Sequence, residues 1–246
     1  MIRALVVDLD GTLIDRSERI SARVARAVTQ VSSRLPVTIA TGREPADILK
    51  YARQLGLTSP QVSDGGATIL DPATGRILWH DPLDPQDAQE IVTRLDAMGA
   101  AFIATHPQGS LTQMSQVPHW NLIRVSGLDM EEEVADRVVA AYAGRDLQAI
   151  KVYLPYNGLW AVDFTRQGVD KATAISRLAG MLGVETVDMA AAGDSYNDIP
   201  MLRVCGVGIA MGDAPQELKD MADYIAPPAS EDGLAVALEE FLLPRL

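Results

Sequence analysis

Two acids one residue apart, Asp8-Leu9-Asp10-Gly11-Thr12, follow directly on the apolar run Ala4-Leu5-Val6-Val7. On an extended segment they would share a face. The chain is leaving the strand here, however, and Gly11 permits a sharp turn. Such a turn aims the two carboxylates differently and offers backbone N–H groups to an anion. A second small-residue run, Ala190-Ala191-Ala192-Gly193, ends in Asp194, with Asn197 and Asp198 in the next turn. Carboxylates gathered at separate strand ends repel one another unless a cation joins them, and hard oxygen ligands favour Mg²⁺. Helix capping is the alternative use of Asp194 and Asp198. Ala40-Thr41-Gly42-Arg43 places a hydroxyl and a glycine turn before a helix, which suits a phosphate oxygen or a plain N-cap. Gly168-Val169-Asp170-Lys171 opens another helix, and its lysine is one of only four, at 50, 151, 171 and 219.

These segments need strand ends to hold them. Val37-Thr38-Ile39-Ala40 reads as a second strand, after a helix over 20–34 and before one over 44–55 that ends at Gly56. The last third repeats the rhythm. A helix over 170–182, a strand over 187–192, a short helix near 197–203 and a strand over 206–210 come first. A helix opening near Pro215, a short strand at Tyr224-Ile225 and a helix over 233–242 complete it. Alternation of this kind predicts an α/β fold, a Rossmann-like parallel sheet with helices on both faces, whose ligands bind beyond the carboxyl ends of the strands. The middle differs. Strands at 76–80, 101–105, 111–115, 121–125, 147–154 and 159–164 are broken only by helices near 84–98 and 130–143, the pattern of an α+β insert. The expected division is therefore a core of 1–75 and 167–246 and an insert of 76–166.

Composition bounds the function. The 246 residues are 48% hydrophobic and 22% charged, which is ordinary for a globular chain and excludes wholesale disorder. No apolar run reaches the roughly 18–20 residues of a membrane span. Acid at Asp8 comes too early for a secretory signal, and the single Cys205 allows no intrachain disulfide, so a reducing cytoplasm is expected. The net charge of −12, from 21 basic and 33 acidic residues, disfavours nucleic-acid binding, and no basic run overrides it. An anionic ligand would need a local counter-charge, which a divalent cation supplies.

Taken together and in this order, the four segments resemble the haloacid dehalogenase (HAD) superfamily of phosphohydrolases. Asp8-Leu9-Asp10-Gly11-Thr12 is similar to its first motif, Thr41 to its second, Lys171 to its third, and Gly193-Asp194-Ser195-Tyr196-Asn197-Asp198 to its fourth. The wording of Ala40-Thr41-Gly42-Arg43 and of Gly193 to Leu202 resembles the Cof-type, or type IIB, branch. The insert, between the second and third motifs, falls at the type II cap position. Its length of about ninety residues is nearer to the sucrose-phosphatase, phosphoglycolate-phosphatase and phosphomannomutase-like relatives. One departure is Asp64-Gly65-Gly66-Ala67, where the branch usually has Asn-Gly-Ala and Gly65 replaces the asparagine.

The resemblance implies a Mg²⁺-dependent phosphatase acting on a small phosphorylated metabolite, such as a sugar phosphate or phosphoglycolate. Asp8 would be the nucleophile, and Asp10 an acid and base with its pKa raised by neighbouring acids. Asp8, the Asp10 carbonyl and Asp194 would hold Mg²⁺, with Asp198 fixing its water shell. Thr41, Lys171, Asn197 and backbone N–H groups near Leu9, Asp10 and Gly42, beside Arg43, would cradle the phosphoryl oxygens. In the insert, Arg124, Lys151, Tyr153 and His106 are candidates to read the leaving group, although His106 before Pro107 also suits a loop. Cys205 reads as a core thiol. The expected partner is a small phosphomonoester, with no nucleic acid or membrane, for a monomer or homodimer. A phosphomutase on the same scaffold and a non-enzymatic phosphoacceptor switch are the alternatives. The switch is disfavoured because such domains run about half this length and lack an insert.

Overall fold

Apolar runs without alternation demand burial on both faces, and β1 (Ala4–Asp8) is buried at all five residues. The computed structural model describes residues 1–154 and 157–246. After β1 come α1 (Ala22–Ser32), β2 (Val37–Ala40), α2 (Pro45–Gln54), β3 (Gln61–Ser63), β4 (Thr68–Leu70) and β5 (Ile77–His80). Ser21 caps α1 by accepting from the Val24 N–H. Gly56, just past α2, has φ +65°, the left-handed ending that glycine allows. The expected elements contain no β4. It is three residues long and pairs antiparallel with β3 across a turn over 64–66, too short to leave a period-2 pattern.

The middle of the chain folds as α3 (Pro85–Ala97), β6 (Phe102–His106), β7 (Gly109–Leu111), β8 (Arg124–Met130), α4 (Glu132–Ala141), β9 (Leu147–Leu154) and β10 (Leu159–Arg166). These strands make an antiparallel sheet in the order β7-β6-β8-β10-β9. One face carries Phe102, Ala104, Val125, Val162 and Phe164 and packs on Ile91 and Leu95 of α3 and Ala135 and Val138 of α4. The strand expected at 121–125 instead spans Arg124–Met130. Ser126 and Gly127 interrupt its apolar pattern, but a Cβ on Gly127 would meet Met130 and Leu95 at 2.6 and 2.7 Å, so packing requires the gap. The strand expected at 111–115 is β7 followed by a 3₁₀ turn at Met114–Gln116.

The chain then returns through α5 (Lys171–Leu182), β11 (Met189–Gly193), α6 (Ile199–Val204), β12 (Val207–Ala210), α7 (Gln216–Met221), β13 (Tyr224–Ile225) and α8 (Gly233–Val236), which a π-helical stretch Ala237–Leu242 continues. The larger sheet runs β13-β12-β11-β1-β2-β3-β4-β5, parallel from β13 to β3. Leu5, Val7 and Ile39 share one apolar layer with α1, α2 and α8. The fold is α/β, a Rossmann-like core with an inserted α+β type II cap. Two compact units divide the chain, Met1–Leu78 with Asp170–Leu246, and Trp79–Val169. Among the described residues no helix is long and apolar enough to cross a membrane.

Candidate active site

β1 lies between β2 and β11, so the chain leaves β1 toward one side and comes back on the other. The carboxyl ends of these three strands bound the crevice where such sheets bind ligands. Asp8 ends β1 and is buried. Lys171, the first residue of α5, is buried beside it. Its Nζ donates to Asp8 Oδ1 at 2.5 Å and to Asp198 Oδ1 at 2.6 Å. The other oxygen of Asp198 accepts the backbone N–H groups of Asp194 and Ser195, both at 3.0 Å. Asp198 therefore organises the loop after β11, and both its oxygens are engaged. Asp170 caps α5 by accepting from the Thr173 N–H at 2.7 Å, which fixes where Lys171 starts.

Two glycines make the cluster possible. A Cβ on Gly11, which has φ +78°, would lie 2.1 Å from Asp194 Oδ2. One on Gly193 would lie 2.5 Å from the Asp198 side chain. The turn after β1 is closed by Leu13 N–H on the Asp8 and Leu9 carbonyls and Ile14 N–H on the Leu9 carbonyl. Inside it Leu9 is buried, and so is the Thr12 hydroxyl, which has no partner.

Asp8, Asp194 and Asp198 each present an oxygen within 4.8 Å of the others. Burial, and then the Asp198 charge, raise the Asp8 pKa well above the usual carboxylate range, with Lys171 opposing. The same two causes push Asp194 up to about 7. Burial alone would lower the Lys171 pKa, but the charges of Asp198 and Asp8 reverse that and raise it. One ammonium thus faces three carboxylates. The excess of negative charge, on oxygen donors only, fits a hard divalent cation held by Asp8 and Asp194, with Asp198 behind them.

Asp10 sits in the turn, half-exposed, with its carboxylate on Arg43. Nε reaches Oδ2 at 3.0 Å and Nη2 reaches Oδ1 at 2.6 Å. The same Nη2 donates to Glu18 at 2.8 Å. The phosphate cradle expected of Arg43 is thus occupied by a bidentate pair with the expected acid and base. Glu18, with φ +57°, was not among the expected residues, and no motif surrounds it. Thr41 is buried, and its hydroxyl accepts from the Arg43 N–H at 3.1 Å. Gly42 lies outside the left-handed region and has room for a Cβ, so the turn there does not demand glycine. Asn197 is exposed and accepts from the Ser195 hydroxyl at 2.7 Å.

A third loop ties these together. Asp64, buried with φ +54°, donates its N–H to the Arg43 carbonyl, and Gly65 donates to the Thr41 carbonyl. A Cβ on Gly66 would lie 2.1 Å from the Asp170 carbonyl oxygen. The Asp-Gly-Gly run therefore braces both the Thr41 loop and the start of α5. Cys205 is half-buried, and burial pushes its thiol up to about 12, which suits packing rather than nucleophilic attack.

The candidates in the second unit separate by face. Lys151, on β9, pairs with Val162 of the helix-packed face and lies between Glu132 at 3.1 Å and Asp136 at 2.5 Å of α4. Its ammonium is 4.5 Å from the centre of the Trp160 ring, and Tyr153 meets that ring edge to face. Lys151 is thus already matched by two carboxylates. His106 ends β6 instead of lying in a loop, and its Nδ1 accepts from the Gln108 N–H at 3.2 Å. Burial lowers its pKa, favouring the neutral ring. Arg124 is buried on the opposite, helix-free face, 3.6 Å from Asp163.

A parallel sheet whose strand ends gather carboxylates, a buried lysine and a buried threonine defines a phosphoryl-transfer hydrolase of the α/β class. The chain belongs to the haloacid dehalogenase-like hydrolase family, which it matches over residues 5–116 and 130–238, and it is a HAD-type phosphatase of the Cof-type branch. It is 28% identical over 258 residues to a putative phosphatase of Haemophilus influenzae, covering 98% of each chain. It is also 28% identical over 243 residues to a phosphoglycolate phosphatase of Methanothermobacter thermautotrophicus, covering 98% of this chain and 99% of that one. The fold matches the solved HAD subclass IIB sugar phosphatase BT4131 with a TM-score of 0.78 at 21% identity, over 97% of this chain and 98% of that one.

Proposed function

We propose that the protein hydrolyses a small phosphomonoester through an aspartyl-phosphate on Asp8, with Mg²⁺ as cofactor. The observation that carries this is the buried Asp8 at the end of β1, sharing Lys171 with Asp198 beside Asp194. The Asp8 carboxylate attacks phosphorus, an Asp8–phosphorus bond forms, and the bond to the leaving oxygen breaks. Asp10 gives its proton to that oxygen. It then takes a proton from the water that attacks phosphorus, releasing inorganic phosphate and free Asp8. Arg43 pairs with the ionised carboxylate, so to act as the acid Asp10 must first leave Arg43 and take up a proton from solvent. Lys171, with Thr41, Asn197 and backbone N–H groups near Leu9, Asp10 and Gly42, cradles the phosphoryl oxygens. Asp8, Asp194 and the Asp10 carbonyl would hold Mg²⁺, which when bound offsets the repulsion between carboxylate and phosphoryl group.

In this reading the core, 1–75 with 167–246, performs the chemistry, and the cap, 76–166, selects the substrate. The relatives named above support a sugar phosphate or a phosphoglycolate-like metabolite. The −12 charge supports a small-molecule partner over nucleic acid, and the lone Cys205 supports a cytoplasmic location, for a monomer or homodimer. The test is phosphate release from a panel of phosphorylated metabolites with Mg²⁺, beside Asp8→Asn. The wild type should release phosphate without an acceptor, and the variant should fall below about a hundredth of that rate. Release that needs a second sugar would make the protein a mutase. A variant that keeps the wild-type rate would overturn the nucleophile.

A further inference from the structure

Arg43 is shared between two acids of the core unit. Its Nη2 has two N–H groups and serves two carboxylates, Asp10 Oδ1 at 2.6 Å and Glu18 Oε1 at 2.8 Å. Its Nε holds the other oxygen of Asp10 at 3.0 Å. With a separate N–H for each acid, Arg43 can release Asp10 and keep Glu18. The local chain is built to put Glu18 there. Its φ of +57° is one that residues other than glycine rarely adopt. The Glu18 N–H donates to the Asp15 carbonyl at 2.9 Å, and Asp15 Oδ1 accepts the N–H groups of Ser17 and Arg19 at 2.8 and 3.3 Å. The hydroxyl of Tyr51, a buried residue of α2, donates to the Glu18 carbonyl at 3.2 Å. Stability does not account for this strained, braced turn. The Glu18 side chain is 60% exposed, and an exposed ion pair adds little to the fold. Strain held in place by its surroundings points instead to a task for the residue that bears it.

We propose that Glu18 is a positioning residue for Asp10: it holds the Arg43 guanidinium in place while Asp10 turns away to the leaving oxygen. The proposal rests on the phosphatase reading, in which Asp10 must leave Arg43, and it adds what makes that departure possible. The Arg43 side chain is only 24% exposed, so water replaces a lost carboxylate poorly. With Glu18 present, one charged hydrogen bond stays when Asp10 goes. Without it, the guanidinium would either hold Asp10 back or follow it toward the phosphoryl oxygens, which are themselves good partners for arginine. Asp47, 4.0 Å from Nη1, is beyond hydrogen-bond distance and cannot take over from Glu18 without moving. Glu18 thus acts through Arg43 and needs no contact with the substrate.

The test compares two aryl monoesters, phenyl phosphate and p-nitrophenyl phosphate, on the full chain with Mg²⁺. The first leaves as a basic phenolate that needs a proton, and the second leaves as a stabilised anion that does not. Glu18→Ala should lower kcat/KM for phenyl phosphate about tenfold, the scale of one hydrogen bond to a charged group, and for p-nitrophenyl phosphate less than about twofold. Glu18→Gln, which keeps the acceptor oxygen and drops the charge, should lie between Glu18→Ala and the wild type. Glu239→Ala breaks another exposed pair, Arg23–Glu239, and should leave both esters unchanged. A crystal structure of the Asp10→Ala variant should still show Arg43 on Glu18. Equal losses on the two esters in Glu18→Ala, or no loss on phenyl phosphate, would overturn the proposal. So would an Asp10→Ala structure in which Arg43 has left Glu18. Absence of turnover of either ester by the wild type would instead remove the hydrolase reading, and the Asp10→Ala structure would still decide whether Glu18 holds Arg43.

Discussion

Lys171 and Lys151 each lie between two carboxylates at nearly the same distances, 2.5 and 2.6 Å for one and 3.1 and 2.5 Å for the other. Their surroundings separate them. Lys171 is 2% exposed, and its partners Asp8 and Asp198 are 7% and 0% exposed. The partners of Lys151, Glu132 and Asp136, are 60% and 59% exposed, one helical turn apart on α4. Water can replace an exposed partner at little cost, whereas a buried charge that loses its partner has no substitute. The same triplet of charges is therefore a surface contact in one unit and part of the candidate active site in the other. Distance by itself does not tell the two apart.

Substituting both lysines puts that contrast to the strongest test. Lys171→Met leaves Asp8 and Asp198 buried without a counter-ion, so in EDTA the core should lose about 3–5 kcal/mol on chemical denaturation. Turnover should fall by orders of magnitude. Lys151→Met should leave both the melting temperature and turnover within the scatter of replicates. Equal losses in the two variants would refute the distinction.

The acids around Lys171 should also make metal binding depend on pH, which the exposed triplet cannot do. Native Asp194 holds its proton to about pH 7, while an ordinary aspartate releases it near 3.8. The fold binds the proton more tightly than the unfolded chain does, so raising the pH through that window destabilises the metal-free protein. Mg²⁺ needs the anion, so its apparent affinity should drop about tenfold for each pH unit below 7 and level off above it. Thermal melts should then show a larger Mg²⁺ stabilisation at pH 7.5 than at pH 5.5. An equal shift at both would contradict the assignment of Asp194 as a ligand.

Smaller effects test the glycines that shape the centre. Gly11→Ala should move the Asp194 carboxylate, because the new Cβ would fall 2.1 Å from its oxygen at a positive φ. Mg²⁺ affinity should drop by more than stability, whose backbone share is about 1–2 kcal/mol. Gly65→Asn should be nearly silent, within about 0.5 kcal/mol by denaturant titration, because φ +68° is a conformation asparagine accepts and the added Cβ meets nothing within 4 Å.

The parallel core was legible because its strands are continuous apolar runs and two of its helices, α1 and α5, carry side-chain caps, and both signals are local. The four chemistry-bearing segments could be read for the same reason, three being strand ends followed by a turn and the fourth a capped helix start. The cap sheet was harder. Ser126 and Gly127 break the apolar pattern of β8, and only the packing of Leu95 and Met130 explains the glycine. Among the site residues, Glu18 carried no motif, and Asp64 stood in the Asp64-Gly65-Gly66-Ala67 run with no role of its own. Their importance lies in contacts to Arg43 that span 25 and 21 residues of sequence.

From its residues alone, this chain determined its fold class, its family, the acids and threonine at its strand ends and the lysine at a helix start. Periodicity, turn chemistry and motif order lie within short stretches of chain. The tertiary structure decided what each charged group does. It set Lys171 among buried acids and Lys151 among exposed ones, clamped Asp10 on Arg43, and turned Arg124 to the helix-free face with Asp163. Burial and cross-strand pairing are long-range quantities, and they decide whether a charge is solvated, paired or left to act.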